Sequence, residues 1–248
     1  NKNYNGATPA KDDKLHYDVL KDPTARLTAQ QDGTTLAMEM VPADAVDQLK
    51  GAGCTVDAVQ GFGVRFAMFN LGKAPWDNVK VRQACLYALD TDKMLANAFS
   101  GQAEVATSYL PSSFANYHKA STVYAHDVDK AKKLISESGI TPGDVVLRTT
   151  DNEQVKSMAT QVKNDLDALG FNVSIVSDTS PATYAAIDAA DGSWDILLAP
   201  GDPSCFGADV DLLLNWWYGD NVWMTKRCPW KEAAEWNKLH ELMSKALG

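Results

Sequence analysis

An alternation of strand and helix patterns between residues 145 and 199 constrains the fold more than any other feature of this sequence. Apolar strand patterns at Val145–Thr149, Phe171–Val176 and Trp194–Ala199 are separated by helical patterns at Asn152–Leu169 and Ala182–Ala190. This order is typical of neighbouring parallel strands that are joined by right-handed crossovers. The sequence therefore predicts an α/β fold in which helices cover both faces of a mixed sheet.

Shorter patterns fill the first part of the chain. Residues 1–14 are polar and contain glycine, which favours a hinge or linker segment before a single α/β lobe over residues 15–248. The clearest early strand is Val64–Asn70, whose alternate residues form two faces, with Arg65 on one and Phe66 on the other. Further strands are predicted at Leu15–Leu20, Thr35–Met40 and Thr55–Val59.

The loop after Trp194–Ala199 is the first place to look for a binding site, because ligands of parallel sheets collect beyond the carboxyl ends of the strands. It contains Asp202 in a Gly-Asp-Pro turn, and Asp209 and Asp211 follow. These carboxylates could converge on a ligand, but carboxylates in loops also cap helices and shape turns. The sequence leaves both roles open.

Sequence motifs of catalysis and cofactor binding are missing. The chain has no nucleophile elbow GxSxG, no P-loop, no dinucleotide-binding GxGxxG and no zinc-binding HExxH. Its four histidines are scattered, without a cysteine or carboxylate at ligand spacing. We therefore expect a protein that is not an enzyme and that binds no metal or cofactor.

The net charge of −9 argues against a nucleic-acid-binding protein, because none of the 23 basic residues gather into a cluster that would neutralise phosphates. No apolar run approaches the roughly 18 residues of a membrane span. The opening residues, Asn1–Gly6, are typical of the interior of a longer chain. We therefore expect any export signal or lipid anchor to lie upstream of them.

The four cysteines lack the CxxC spacing that is typical of zinc sites. Cys85 lies among apolar residues of a predicted helix, where a cysteine is most simply a small buried hydrophobic residue. Cys205 and Cys228 flank a loop-rich segment that a disulfide would stabilise, and such a bridge would indicate an oxidising compartment. The alternative is two unpaired thiols.

Aromatic residues crowd the last third of the chain. Tryptophan and tyrosine rings give a binding surface a large contact area at a small cost in side-chain entropy, but they also fill cores. Trp216 and Trp217 follow a short apolar helical pattern, so we expect one ring to face inward and the other to face a ligand cleft. The other aromatic residues of this group are Tyr218, Trp223, Trp230 and Trp236.

One motif connects the chain to a known family. The run Lys73–Ala84, which reads KAPWDNVKVRQA and is followed by YALD at Tyr87–Asp90, resembles the most recognisable stretch of the family 5 solute-binding proteins. These proteins serve dipeptide, oligopeptide and nickel importers. Other segments that resemble the family in the same order are Asn3–Gly6, Asp22–Arg26, Asp127–Leu134, Gln161–Val173 and Gly201-Asp202.

The resemblance implies one lobe of a type II periplasmic-binding-protein-like receptor, in which two lobes close about a hinge on a peptide or similar small solute. It also implies delivery of the solute to an ABC permease and an extracytoplasmic location, either periplasmic or lipid-anchored at the cell surface. From the segments matched, we expect this chain to be the second large lobe, with the first lobe outside it. We expect this fragment to be monomeric.

The resemblance further implies roles for individual residues. Asp202 matches the carboxylate that often pairs with a peptide's amino terminus, and Asp209 is the next such position; a carboxylate facing an ammonium forms a charge-assisted bond. Asp151 lies in the turn where some dipeptide receptors place an arginine that clamps the ligand's carboxylate, which favours a longer peptide or another solute. Arg65 could supply the compensating charge, or it could be a surface residue of its strand.

A different functional class remains as the alternative. A sensing or protein-interaction module could keep the same lobe fold without taking part in transport. Binding of short peptides by the complete receptor would separate the two functions.

Overall fold

The computed structural model of the protein describes residues 3–189, 191–201, 209–231 and 233–247. The chain divides into two compact units, residues 1–58 and residues 59–248. The sequence analysis does not predict this boundary. That residues 15–248 act as one ligand-binding lobe, after a linker over residues 1–14, stays a prediction.

The first unit contains two helices, α1 (Pro23–Gln31) and α2 (Val46–Gly51), and a 3-10 turn (Ala43–Ala45) leads into α2. Helix α1 begins where the sequence predicts because Asp22 caps it. The Asp22 carboxylate accepts a hydrogen bond from the backbone N–H of Ala25 at 2.8 Å, which satisfies one of the unpaired donors of the first turn.

The early strands predicted between residues 15 and 59 are wrong. An alternating pattern forms a strand only where a neighbouring strand supplies backbone hydrogen bonds, and the described residues of the first unit contain none. Leu15, Tyr17 and Val19 are instead 73%, 80% and 86% exposed. The segments concerned are Leu15–Leu20, Thr35–Met40 and Thr55–Val59.

The described part of the second unit is built on one four-stranded sheet, in the order β1 (Val64–Phe69), β4 (Ile196–Gly201), β2 (Asp144–Thr150) and β3 (Asn172–Asp178). Strand β2 runs parallel to β3 and to β4, as the crossover pattern predicts. Strand β1 pairs with β4 in the antiparallel direction. The sheet is therefore mixed, which confirms the predicted fold class.

Helix starts in this unit follow the polar caps in the sequence. The side chains of Asn78, Asp90, Asp127 and Asn152 each accept a hydrogen bond from a backbone N–H in the first turn of the helix that follows. The helices are α3 (Val79–Ala88), α4 (Thr91–Phe99), α5 (Val128–Ser138), α6 (Glu153–Asp167), α7 (Ser180–Asp188), α8 (Val210–Tyr218) and α9 (Ala234–Leu247), with a π-helical turn at Trp223–Arg227.

Alternate residues of the central strand β4 point into two separate cores. Ile196 and Leu198 lie in the larger core, which residues of α3, α4, α5 and α6 complete. Leu197 and Ala199 point to the opposite face, where they pack with Ile187 of α7. Burial on both faces explains why β4 reads as a continuous apolar run, and it confirms that helices cover both faces of the sheet.

A buried carboxylate just before β4 joins several parts of this unit. Asp195 is 3% exposed, and its Oδ1 accepts a hydrogen bond from the indole Nε1 of Trp76 at 2.9 Å. Its Oδ2 accepts one from the backbone N–H of Val146 at 2.8 Å, and Nζ of Lys73 lies 2.8 Å from Oδ1. The backbone N–H of Asn70 donates to the Asp195 carbonyl at 2.9 Å. These bonds hold β4 against β2 and against the segment that follows β1.

The substitution Asp195→Ala leaves the indole N–H of Trp76 and the backbone N–H of Val146 without their acceptor. We expect it to lower the free energy of unfolding by about 3 kcal/mol, measured by urea denaturation. The control Asp191→Ala removes an exposed turn carboxylate that accepts from the backbone N–H of Ser193, and it should cost less than about 1 kcal/mol. Equal stability of the two variants would contradict this account.

Candidate functional site

The ends of three strands meet at one edge of the sheet. Strands β2 and β4 finish there at Thr150 and Gly201, and β1 starts there because it is antiparallel. Arg65 on β1 lies opposite Pro200, and Val64 lies opposite Gly201. We call this group of strand ends, together with the turns that follow β2 and β4, the carboxyl edge. It is the part of the fold where the sequence analysis expects a ligand.

Arg65 connects the carboxyl edge to the first turn of α6. Its half-buried guanidinium donates from Nη2 to Oε1 of Gln154 and from Nη1 to the backbone carbonyl of Val64 at 3.3 Å. The guanidinium carbon lies 6.0 Å from the centre of the Phe99 ring. Arg65 is therefore held in place as a cation at this edge, although sequence analysis leaves a surface role open. Sequence analysis missed Gln154, because a glutamine in a helical pattern carries no signal of a partner 89 residues away.

The last residue of β2 contributes a hydroxyl group, and the turn after it contributes an acidic group. Asp151 is exposed, and Asn152 after it caps α6 by accepting from the backbone N–H of Val155 at 3.1 Å. Thr150 is 3% exposed, and its Oγ1 has no hydrogen-bond partner within the described part of the chain. A buried hydroxyl without a partner is unusual, and sequence analysis gave no reason to single it out.

Asp202, which sequence analysis gives the main ligand role, lies outside the described residues. Its neighbour Gly201 is buried against the ring of Trp217 and the side chain of Val64. A Cβ atom at Gly201 would lie 3.2 Å from Cζ2 of Trp217 and 3.2 Å from Cγ2 of Val64. The position favours glycine because a ring and a neighbouring strand approach it closely. The ligand role of Asp202 stays a prediction.

Asp209 caps helix α8. Its Oδ1 accepts a hydrogen bond from the backbone N–H of Leu212 at 3.0 Å, which is the capping role that sequence analysis holds open for carboxylates in this region. A capping carboxylate keeps a second oxygen, so the geometry is compatible with a ligand contact as well. The ligand role of Asp209 stays a prediction.

Trp216 is 48% exposed on α8, and Leu212, one helical turn before it, is 50% exposed. The next residue, Trp217, is half-buried and packs edge-on against Phe66 of β1, with ring centres 4.7 Å apart. This arrangement agrees with the expectation that one ring of the pair faces inward. It leaves Trp216 with an exposed aromatic surface, and its contact with a ligand stays a prediction.

Two of the described cysteines are shielded from solvent. Burial raises the pKa of the Cys85 thiol to about 12 and that of the Cys228 thiol to about 11. Cys54, Cys85 and Cys228 form no disulfide with one another. Cys205 lies outside the described residues, so the Cys205–Cys228 disulfide stays a prediction.

The described residues contain no group of three or more histidine, cysteine or acidic side chains that could hold a metal ion. Across the same residues, every helix is too short or too polar to cross a membrane. The candidate ligand groups at the carboxyl edge are the Asp151 carboxylate, the Arg65 guanidinium and the Thr150 hydroxyl. Such groups suit recognition of a polar organic solute.

The family model of bacterial extracellular solute-binding proteins, family 5 middle region, matches residues 1–224. The chain belongs to this family. The match spans both compact units and includes the whole carboxyl edge. It confirms the resemblance carried by the KAPWDNVKVRQA motif.

Similar proteins agree with this assignment. Heme-binding protein A of Haemophilus influenzae is 31% identical over 193 residues, which cover 75% of this chain and 34% of that protein. The dipeptide-binding protein of Escherichia coli is 26% identical over 172 residues, which cover 66% and 32%. Both are named as binding proteins and not as enzymes. The family 5 chain spans about a third of the length of these two relatives.

A solved structure confirms the fold. NikA from Brucella suis, in complex with Fe(III)-EDTA, matches the family 5 chain with a TM-score of 0.74 at 20% identity. The match covers 92% of this chain and 48% of the NikA chain. The predicted fold, an α/β fold like that of the type II periplasmic-binding-protein-like receptors, is therefore confirmed.

The capping role of Asp209 can be tested with two substitutions. Asp209→Ala removes the hydrogen bond to Leu212 and should lower the free energy of unfolding by about 1 kcal/mol. Asp209→Ser keeps a capping oxygen without the charge and should stay within a few tenths of a kcal/mol of the unchanged protein. Thermal and urea denaturation measure both. If the alanine and serine variants are equally stable, the cap contributes nothing and this interpretation is wrong.

Proposed function

We propose that this family 5 chain forms one lobe of a solute-binding receptor of an ABC importer, with the carboxyl edge as one wall of the solute site. The observation that carries the proposal is the meeting of Arg65, Asp151 and Gly201 at one sheet edge. Three segments that are distant in sequence bring a cation, an anion and the start of the Gly-Asp-Pro loop together there. Since no catalytic motif accompanies them, the proposed role is binding and not catalysis.

The solute in this proposal is a peptide or a comparable small solute that carries an ammonium group. Asp202 and Asp209 are the carboxylates proposed to receive it, because a carboxylate that faces an ammonium forms a charge-assisted bond and discriminates against analogues that lack the cation. Arg65 is the proposed partner for an acceptor group elsewhere on the solute. The dipeptide-binding relative supports the peptide class.

The position of Asp151 favours a longer peptide or another solute over a dipeptide. A free carboxylate placed at the turn after β2 would meet the exposed Asp151, and like charges brought together at an interface oppose binding. A longer peptide can direct its terminal carboxylate away from this turn. Trp216 then offers an aromatic surface for an apolar side chain of the solute.

The proposal includes a location and a partner. The receptor works outside the cytoplasm, either in a periplasm or attached to the cell surface by a lipid anchor. It delivers its solute to a membrane permease, and this lobe does not oligomerise. The family description, which is that of extracellular proteins, supports this location.

The function is tested by identifying what the full-length receptor carries. Mass spectrometry of solute released from the purified protein should detect peptides, and calorimetry should then measure their binding. A receptor that releases no solute, and that binds nothing from a pool of short peptides, would instead support a sensing or interaction module.

The role of Asp202 is tested with Asp202→Asn in the full-length receptor. The variant should bind the co-purified peptide several-fold to a hundred-fold more weakly, by about 1 to 3 kcal/mol, because the charge-assisted bond to the ammonium is lost. The melting temperature should hardly change. The N-acetylated form of the same peptide provides the control, since it has no ammonium and should bind both proteins equally weakly.

Two outcomes would contradict the role of Asp202. One is an Asp202→Asn variant that binds the free-amine peptide as tightly as the unchanged receptor does. The other is a variant that loses stability while its affinity is unchanged, which is the behaviour of a helix cap or turn former.

A further inference from the structure

Arg227 and Asp188 form a two-pronged ion pair on the face of the sheet opposite the larger core. Nε of Arg227 donates to Oδ1 of Asp188 at 2.7 Å, and Nη2 donates to Oδ2 at 2.9 Å. These hydrogen bonds lower the pKa of the Asp188 carboxyl. The Arg227 side chain is 13% exposed, so the pair fixes the π-helical turn to the end of α7 in a largely enclosed place.

The same guanidinium is enclosed by two aromatic rings. Its carbon lies 4.3 Å from the ring centre of Trp223 and 4.7 Å from that of Tyr184. The two rings are nearly perpendicular, at 88°, with centres 5.9 Å apart. A guanidinium that is bonded to a carboxylate and in contact with both rings restricts the rotation of both rings.

Ring contacts connect Trp223 to the carboxyl edge. Its ring centre is 4.7 Å from that of Trp217, which in turn lies 4.7 Å from the ring of Phe66 on β1. Trp217 contacts Gly201, where an added Cβ atom would lie 3.2 Å from its Cζ2. Direct contacts thus run from Asp188 and Arg227, through two tryptophans, to the backbone where β4 ends and the Gly-Asp-Pro loop begins.

We infer that Arg227 is a positioning residue for solute binding, which through Trp223 and Trp217 fixes the backbone of Gly201 at the carboxyl edge. The inference rests on the proposed function, in which the carboxyl edge contacts the solute. Arg227 lies on the π-helical turn and acts through other side chains, and the inference gives it no contact with solute. Lysine cannot replace it, because an ammonium is a compact point charge that cannot make the two parallel bonds of a guanidinium to Asp188.

A purely structural role of Arg227 has a different consequence. If the rings of Trp223 and Trp217 only fill space, weakening their contacts lowers the stability of the whole unit and leaves solute affinity unchanged at temperatures well below melting. A positioning role requires a local loosening of β1 and β4 and a loss of affinity together.

The test uses Arg227→Lys in the full-length receptor, with Arg148→Lys as the matched control. Arg148 pairs with Asp178 at 3.2 Å between β2 and β3, and its side chain is 15% exposed, close to the 13% of Arg227. We measure amide hydrogen exchange of residues 64–69 and 196–201 without solute, and affinity for the co-purified solute. Arg227→Lys should speed exchange there and weaken binding, each about tenfold, while Arg148→Lys changes neither.

A double substitution tests whether Arg227 acts through Trp217. If it does, adding Arg227→Lys to Trp217→Phe should weaken binding little further, since coupled residues give non-additive effects. Fully additive losses, unchanged exchange in residues 196–201, or unchanged affinity in Arg227→Lys would each overturn the inference. If the unchanged receptor binds no solute, the proposed function fails, and the exchange measurement still decides whether Arg227 holds Gly201.

Discussion

Asp195 carries a carboxylate in an enclosed part of the second unit, where it accepts hydrogen bonds from the indole of Trp76 and the backbone of Val146. Burying a carboxylate costs several kcal/mol unless hydrogen-bond donors surround it. The buried position of Asp195 therefore requires that Trp76 and Val146 lie where they can donate to it. Trp76 is fully buried and stacks between Phe69 and Phe171, with ring centres 5.4 and 5.8 Å away. The Asp195 side chain thereby connects the central strand β4 to β2 through Val146 and to the larger core through Trp76.

The candidate site follows from this constraint on β4. Held between β1 and β2, the strand brings its last residue, Gly201, beside Val64 and close to the turn after Thr150. Because β1 is antiparallel, a cation near its start reaches the same edge as the ends of the parallel strands. The packed rings of Trp223, Trp217 and Phe66 then support this edge from the side opposite the larger core. Stability and recognition are thus assigned to different groups: buried partners of Asp195 hold the sheet, and the ends of its strands at the carboxyl edge are the proposed contacts of the solute.

Features that depend on local sequence were predictable, and features that depend on distant partners were not. The faces of Val64–Asn70 and the starts of helices at Asn78 and Asn152 follow from side-chain period and capping, which neighbouring residues determine. The strand predicted at Leu15–Leu20 is wrong because a pattern cannot supply the partner strand. Arg227 and Asp188 are 39 residues apart, and neither lies in a motif, so only the folded chain reveals their pairing. In the candidate site, the sequence pointed to the carboxyl edge and to Arg65, whose ligand roles stay predictions, but it gave no signal for Gln154 or Thr150.

The central claim is that the carboxyl edge of this sheet contacts the solute. The most direct measurement is a crystal structure of the full-length receptor with its co-purified solute bound. The account predicts solute atoms within hydrogen-bonding distance of groups at the carboxyl edge, among them Asp202 and Arg65 or the turn at Thr150 and Asp151. Solute bound at the opposite edge of the sheet, near Asp144 and Asn172, or on the outer faces of the helices would contradict it.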